Sequence, residues 1–404
     1  MRLLLGIVTL LFVTFGCAKK EQNPSNTTAQ STRVESPSAS CDAKVIPGSY
    51  VVRWSSGYLQ KLESWTSQEI DSVLVAQYSD YIELIEPNYR IDVPKTFSEA
   101  SILSTQNSPD DAFWGVKNIE VEHVWSKGFY GQGVVVAVVD SGVDLTHPNL
   151  VGRIFTNTAE LNGKEGVDDD GNGYVDDIYG YNFADRNPTN VDEAEHGTHV
   201  AGVIAANHDN NFVRGVAPQA TILPADFMSA VSGSTASSIE AIDYSVKMGA
   251  NIINASWGGP GCSAELKRTI EALAEKNVLF VTAAGNEGLN LEYYDVYPAK
   301  YNLSNQITVG ALGTIHLRTW FSNFGNPVDV LAPGERIIST VPGGFSRQDG
   351  TSMAAPFVSG IAALYLSKYP QMKVSDLREK IVSSLVTGPY RIKTNGTVVL
   401  PEDF

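Results

Sequence analysis

Val134-Val-Val-Ala-Val-Val-Asp-Ser-Gly142 decides the fold class. Its first six residues are apolar without a break, and five of them are β-branched valines. A strand with one wet face would alternate apolar and polar side chains. An unbroken run suits a strand covered on both faces, the habit of parallel sheets. Working outward, Thr221–Leu223, Asn251–Ala255, Val278–Ala283, Ile307–Ala311 and Val328–Ala332 repeat this character. Helical periodicity fills several of the intervals, for example over Ser237–Met248 and Ala264–Lys276. The alternation predicts an α/β fold, a doubly wound, mostly parallel sheet flanked by helices. Thr394-Asn-Gly-Thr397 adds a hairpin signal near the C-terminus.

In such sheets, sites collect outside the carboxyl ends of the strands, which is where Asp140 stands. Two further segments carry residue types that can work with a buried carboxylate. They are His196-Gly-Thr-His-Val-Ala-Gly202 and Gly350-Thr-Ser-Met-Ala-Ala-Pro356. A serine hydroxyl is a poor nucleophile at neutral pH; it needs an imidazole to take its proton and a carboxylate to hold that imidazole. Each segment alone is weak evidence, but the order Asp140, His196, Ser352 is specific. Ala284-Gly-Asn-Glu-Gly288 falls between the second and third. His199 is read as structural. Ser352 precedes an apolar helix, Met353 to Leu366, where outward-pointing N–H groups favour an oxyanion. A lipase-type hydrolase is excluded, since it needs Gly-x-Ser-x-Gly and places the serine first.

At these residues the chain resembles the subtilase family of serine endopeptidases, from roughly Asp111 to the C-terminus. The resemblance implies an acyl-enzyme mechanism with Asp140, His196 and Ser352 as triad and the Asn286 amide as oxyanion donor. It implies that Ser256-Trp257-Gly258 pairs with extended substrate. Trp257 and the Ala283-Ala284-Gly285 segment would wall the pocket for the residue before the cut. Val296 stands where many members carry glycine at the pocket floor. Broad specificity with a preference for small or medium apolar side chains is therefore expected.

Between Asp140 and His196 lies Asp168-Asp-Asp-Gly-Asn-Gly-Tyr-Val-Asp-Asp177. Six carboxylates occur from Glu165 to Asp177 with no basic residue among them, a repulsive arrangement unless a cation is bound. Asp168, Asp170 and Asn172 alternate, Gly173 permits a sharp turn, and Tyr174 can offer its carbonyl, as in the first seven positions of an EF-hand loop. The twelfth position is Tyr179, so Asp176 or Asp177 must supply the bidentate ligand. Hard oxygen donors predict calcium.

Upstream, residues 1–16 read as an export signal: Arg2, then an apolar run from Leu3 to Phe15. Gly16-Cys17 resembles a bacterial lipoprotein processing box, which implies a lipid anchor at Cys17. Residues 17–41 are polar and read as a flexible tether. Residues 42–96 carry a strand at Ser49–Trp54, an amphipathic helix over Tyr58–Asp71 and a second strand at Tyr81–Tyr89. Pro47-Gly-Ser-Tyr-Val-Val and Ile85-Glu-Pro-Asn-Tyr resemble the two ends of the subtilase pro-segment, which implies an intramolecular inhibitor. Residues 97–110 form a processing linker and 111–404 the catalytic domain. With a formal net charge of -16, nucleic acid and unassisted binding to anionic membranes are excluded as partners. Three cysteines support no dense disulfide framework; a Cys41–Cys262 disulfide holding the pro-segment to the catalytic domain is one reading, and two unrelated cysteines the favoured one. An exported protein of the bacterial cell envelope or exterior, acting as a monomer on proteins or peptides, is expected.

Overall fold

The central sheet runs through the strand Val135–Asp140. In the computed structural model, which describes residues 33–34, 44–99, 112–209, 213–230, 232–386, 397–402 and 404, that sheet is nine-stranded among the described residues. Val135–Asp140 lies between Thr221–Asp226 and Ile252–Ala255, parallel to both. Leu279–Ala283, Gln306–Leu312 and Val330–Pro333 continue the sheet outward beyond Ile252–Ala255, again in parallel. Since chain order departs in both directions from Val135–Asp140, its carboxyl end is a switch point where a crevice must open. Every strand that was expected is present, most with bounds shifted by a residue or two. Leu385–Val386 pairs antiparallel with Thr397–Val398, while the turn expected at Thr394 lies outside the described residues.

Two apolar layers sandwich this sheet. One centres on the helix Thr351–Lys368 with Gly197–Ala205. The other is built on Thr235–Lys247 and Ala264–Ala272. Thr351–Lys368 is buried from Thr351 through Tyr365, so it is apolar all round rather than amphipathic. Ser352 does not precede this helix as expected; it sits in the first turn, with Gly350 as N-cap.

Residues 44–99 fold around their own small core of Val52, Leu62, Ile70, Leu74, Ile82 and Ile85. Val45–Trp54 pairs antiparallel with Ile82–Asp92 and with Leu59–Leu62. The helix expected over Tyr58–Asp71 is therefore a strand followed by a helical run that starts at Ser67. Thr66 and Glu69 form a capping box that overrides the weak periodicity before them. Arg33–Val34 pairs with Leu84–Ile85, so at these two positions the expected tether is a strand. Phe97–Glu99, expected as linker, pairs antiparallel with Arg347–Asp349.

This unit docks through polar caps on the two helices beneath it. Glu86 accepts from Ser263 Oγ and, at 2.8 Å, from Ala264 N, while Asn88 Oδ1 accepts from Thr235 Oγ1 at 2.9 Å and Ala236 N at 3.0 Å. Both carbonyl-type oxygens thus satisfy N–H groups that a helix start leaves free. Arg53 pairs with the fully buried Glu265. Cys262 is disulfide-bonded, and its partner lies outside the described residues. The Tyr89 side chain lies against Gly261, and Val45 pairs with Tyr89. Residues 1–32, with the expected signal and Cys17, also lie outside the described residues, as do Cys41 and 100–111. Among the described residues no helix is long and apolar enough to cross a membrane.

Candidate active site

Asp140 ends its strand with the side chain buried, and Oδ1 lies 2.7 Å from His196 Nδ1. His196 is N-cap of Gly197–Ala205, so the start of this helix and the end of the strand meet at one point. The approach is close. A Cβ on Gly197 would stand 2.0 Å from the Gly142 carbonyl oxygen, so only glycine fits. Burial alone would lower the His196 pKa. The Asp140 charge and hydrogen bond, with Asp192 further away, outweigh it, and the net direction is upward. His199 instead bonds the Ile337 and Ser346 carbonyls and is pushed down to about 3 by burial, which leaves it neutral and structural.

Two buried carboxylates missed in the sequence support this pair. Asp192 accepts from Ser141 Oγ at 2.8 Å and Thr198 N at 2.7 Å, pinning both segments that carry Asp140 and His196. Burial raises it to about 6. Asp226 pairs in register with Asp140 on the neighbouring strand, and burial raises it to about 9, so it stays protonated and adds no charge beside the imidazole. No local signal marks either residue, because each works only through the meeting of strand and helix.

Pro356 lies inside the helix Thr351–Lys368 and has no N–H, so the Ser352 carbonyl loses its usual partner four residues on. Ser256 Oγ donates to it instead at 2.9 Å, and Ser352 Oγ donates to the Ser256 carbonyl at 2.9 Å. The turn that carries Ser352 and the Ser256–Gly258 segment are thereby locked together. His196 Nε2 is buried and unpartnered, so the serine hydroxyl is turned from it in this resting arrangement.

Asn286 is clamped from behind. Its Oδ1 accepts from Thr351 N at 2.8 Å and Thr351 Oγ1 at 2.9 Å, which aims Nδ2 into the cleft. There Nδ2 donates to the Lys95 carbonyl at 3.0 Å. Gly285 has φ +100 and a Cβ on it would meet Asn323 Nδ2 at 2.4 Å, so the bend before Asn286 requires glycine. Asn323, also missed in the sequence, holds this loop through Glu287 N, Leu289 N and the Ala284 carbonyl.

A cavity of about 250 Å³ opens beside Ser352 and Asn286. Ser256, Trp257, Gly258, Gly285 and Val296 line it as expected, together with Glu287, Asp295 and Lys95. Ala284 does not; it packs with Leu291, Val296 and Ala299 behind the wall, because neighbouring residues point to opposite sides and Ala283 takes the cleft side. Most of Trp257 is core, 1% exposed, with its indole N–H on the Val139 carbonyl at 2.8 Å.

The acidic loop brings together oxygens of two expected residues and one that was not expected. Glu160, Asp168 and Asp170 each bring an oxygen to within 4.8 Å of the others. Asp177 is turned inward to Asn157, Asn172 and Tyr244, and Asp176 accepts from Gly166 N, so neither joins that group. Asn172 donates its amide to Asp170 and Asp177, and its Oδ1 accepts from Tyr174 N at 2.7 Å. Glu160 comes from the preceding helix Thr158–Leu161, outside the repeating pattern that flagged the loop.

A doubly wound sheet carrying an aspartate–histidine pair, a helix-start serine and an amide aimed at one cleft defines a serine hydrolase. The family model described as "Subtilase family" matches residues 131–398. "Major intracellular serine protease" of Bacillus subtilis (strain 168) is 40% identical over 258 residues, 63% of this chain and 74% of that protein. "Subtilisin E" of Bacillus subtilis (strain 168) is 36% identical over 274 residues, 67% of this chain and 65% of that protein. The crystal structure of a cold adapted subtilisin-like serine proteinase matches with a TM-score of 0.56 at 30% identity, covering 67% of this chain and 89% of that one. The chain belongs to the subtilase family and is a serine endopeptidase, with proteins or peptides as its substrates.

Proposed function

We propose that this protein is an exported, calcium-stabilised endopeptidase that cuts through an acyl-enzyme on Ser352 and is made as a zymogen. His196 takes the hydroxyl proton, Asp140 holds the resulting imidazolium, and Asn286 Nδ2 with the Ser352 N–H receives the oxyanion. The observation that carries the reading is the 2.7 Å contact of Asp140 Oδ1 with His196 Nδ1, and Ser352 shares its cleft with Asn286. A fluorophosphonate probe should label the processed protein and leave Ser352→Ala unlabelled; absence of label in processed, calcium-loaded protein sinks the reading.

Residues 42–96 act as the inhibitory pro-segment, a role supported by their docking on two helix starts and by Lys95 lying in the cleft. Export and a lipid anchor at Cys17 rest on the Arg2–Phe15 run and Gly16-Cys17, and place a monomeric enzyme in the bacterial envelope or outside it. Radiolabelled palmitate incorporated into wild type but not into Cys17→Ala tests the anchor. Calcium fits the oxygens of Glu160, Asp168 and Asp170 and would neutralise their mutual repulsion. Chelation should lower the thermal midpoint of wild type and leave that of Glu160→Ala nearly unchanged; equal shifts remove the ion from this group. Val296 on the cavity wall supports small or medium apolar side chains before the cut, and the carboxylates of Glu287 and Asp295 on the same wall also suit a basic one.

A further inference from the structure

The chain enters its own cleft and is held on both sides of one peptide bond. Before that bond, Pro94 and Lys95 lie against the cleft lined by Ser256–Pro260. At it, Asn286 Nδ2 donates to the Lys95 carbonyl at 3.0 Å, the place where negative charge must form during acyl transfer. After it, Phe97–Glu99 pairs with Arg347–Asp349, the strand that leads directly into Gly350 and Ser352. The Phe97 ring lies 5.4 Å from both Trp320 and Phe321, and Trp320 is otherwise 75% exposed. On the near side, Glu287 and Asp295 put two carboxylates on the cavity wall beside Lys95. Asp295 is offset by Lys300 at 2.7 Å, and Glu287 is held by Asn323 at 2.7 Å. The Lys95 side chain stays exposed, so the wall attracts it through water rather than by a buried ion pair.

Resting on the zymogen reading above, we propose that Lys95–Thr96 is the maturation bond. The same contacts define the substrate class: polypeptides with a basic residue before the cut and an aromatic residue second after it. In the cleavage, Ser352 Oγ bonds to the Lys95 carbonyl carbon while its proton passes to His196 Nε2. The Lys95–Thr96 C–N bond then breaks, and the Thr96 amine leaves with that proton. Water, deprotonated by the same imidazole, releases the Lys95 carboxylate and frees Ser352.

A time course on the full-length wild-type chain, read by intact mass and N-terminal sequencing, tests the bond. The first product should begin Thr96-Phe97-Ser98 and be absent from Ser352→Ala. A Ser352-dependent first cut at any other bond overturns the assignment and leaves the endopeptidase reading standing. So does a chain that stays whole yet hydrolyses added peptide through Ser352. A chain that neither cuts itself nor hydrolyses peptide overturns both. With processed enzyme and peptides differing only before the cut, Lys should exceed Leu in kcat/KM by about fivefold, the weight of a hydrated ion pair. Glu287→Gln should shrink that ratio, and Trp320→Ala should abolish a preference for Phe over Ala at the second position after the cut. A Lys-to-Leu ratio at or below unity, or one that Glu287→Gln leaves unchanged, refutes the basic preference.

Discussion

Glu86 offers a pH-dependent hold between the N-terminal unit and the catalytic part. Its carboxyl is 2% exposed and caps the helix Ala264–Ala272, and burial, opposed by Ser263 and Ala264, raises its pKa from 4.5 to about 7. A group raised on folding stabilises the fold fully below its unfolded value and loses that contribution as pH climbs through the folded one. The window is therefore pH 4.5 to about 7. Multiplying that interval by about 1.36 kcal/mol per pH unit gives roughly 3 kcal/mol lost across it. The same free energy weakens docking of the cut segment by about 10²-fold. The perturbation is Glu86→Gln, which keeps the shape and removes the titration. Denaturant unfolding of uncut Ser352→Ala, with and without Glu86→Gln, at steps from pH 4.5 to 7.5 reads the effect. The parent should lose stability with rising pH relative to the double variant, whatever constant offset the amide brings. Parallel curves would show that the caps, not burial, dominate the Glu86 environment, and the reasoning would fail.

The other outcomes concern the catalytic cleft. Asn286→Ala should lower kcat by about 10²–10³, the range known for the matching donor in subtilisin rather than one worked out for this chain, with KM little changed. A rise in KM alone would move Asn286 from oxyanion binding to simple substrate contact. Because His196 must be neutral to accept a proton and its pKa is held up by Asp140, kcat/KM should fall in acid with a midpoint above 6.5, the ordinary histidine value. Asp140→Asn should move that midpoint down; an unmoved midpoint assigns the limb to another group. Gly197→Ala drives a methyl toward a carbonyl 2.0 Å away and displaces His196 from Asp140, so activity should drop about 10²-fold. Full activity in a folded Gly197→Ala protein, judged by its circular dichroism, would show that the helix start yields without moving the base.

The parts readable from sequence share one property: their signal is local. Unbroken valines such as Val134–Val136 mark a strand covered on both faces wherever it ends up, and Asp140, His196, Ser352 and Asn286 sit in short strings whose neighbours suit strand ends and helix starts. Ala284 was misplaced because adjacent residues cannot be told apart by a motif, only by which side of the wall each one faces.

By itself, the order of residues determined the α/β class and the chemical groups available to the cleft. Tertiary structure decided what those groups meet. Asp192 reaches Ser141 and Thr198 only because a strand end and a helix start are pressed together. Glu160 joins Asp168 and Asp170 from another helix. Lys95 lies under Asn286 only because Glu86 and Asn88 cap helices that begin far along the chain. The physical reason is common to all three: a hydrogen bond is set by positions in space, and residues distant in sequence acquire those positions only when the core packs.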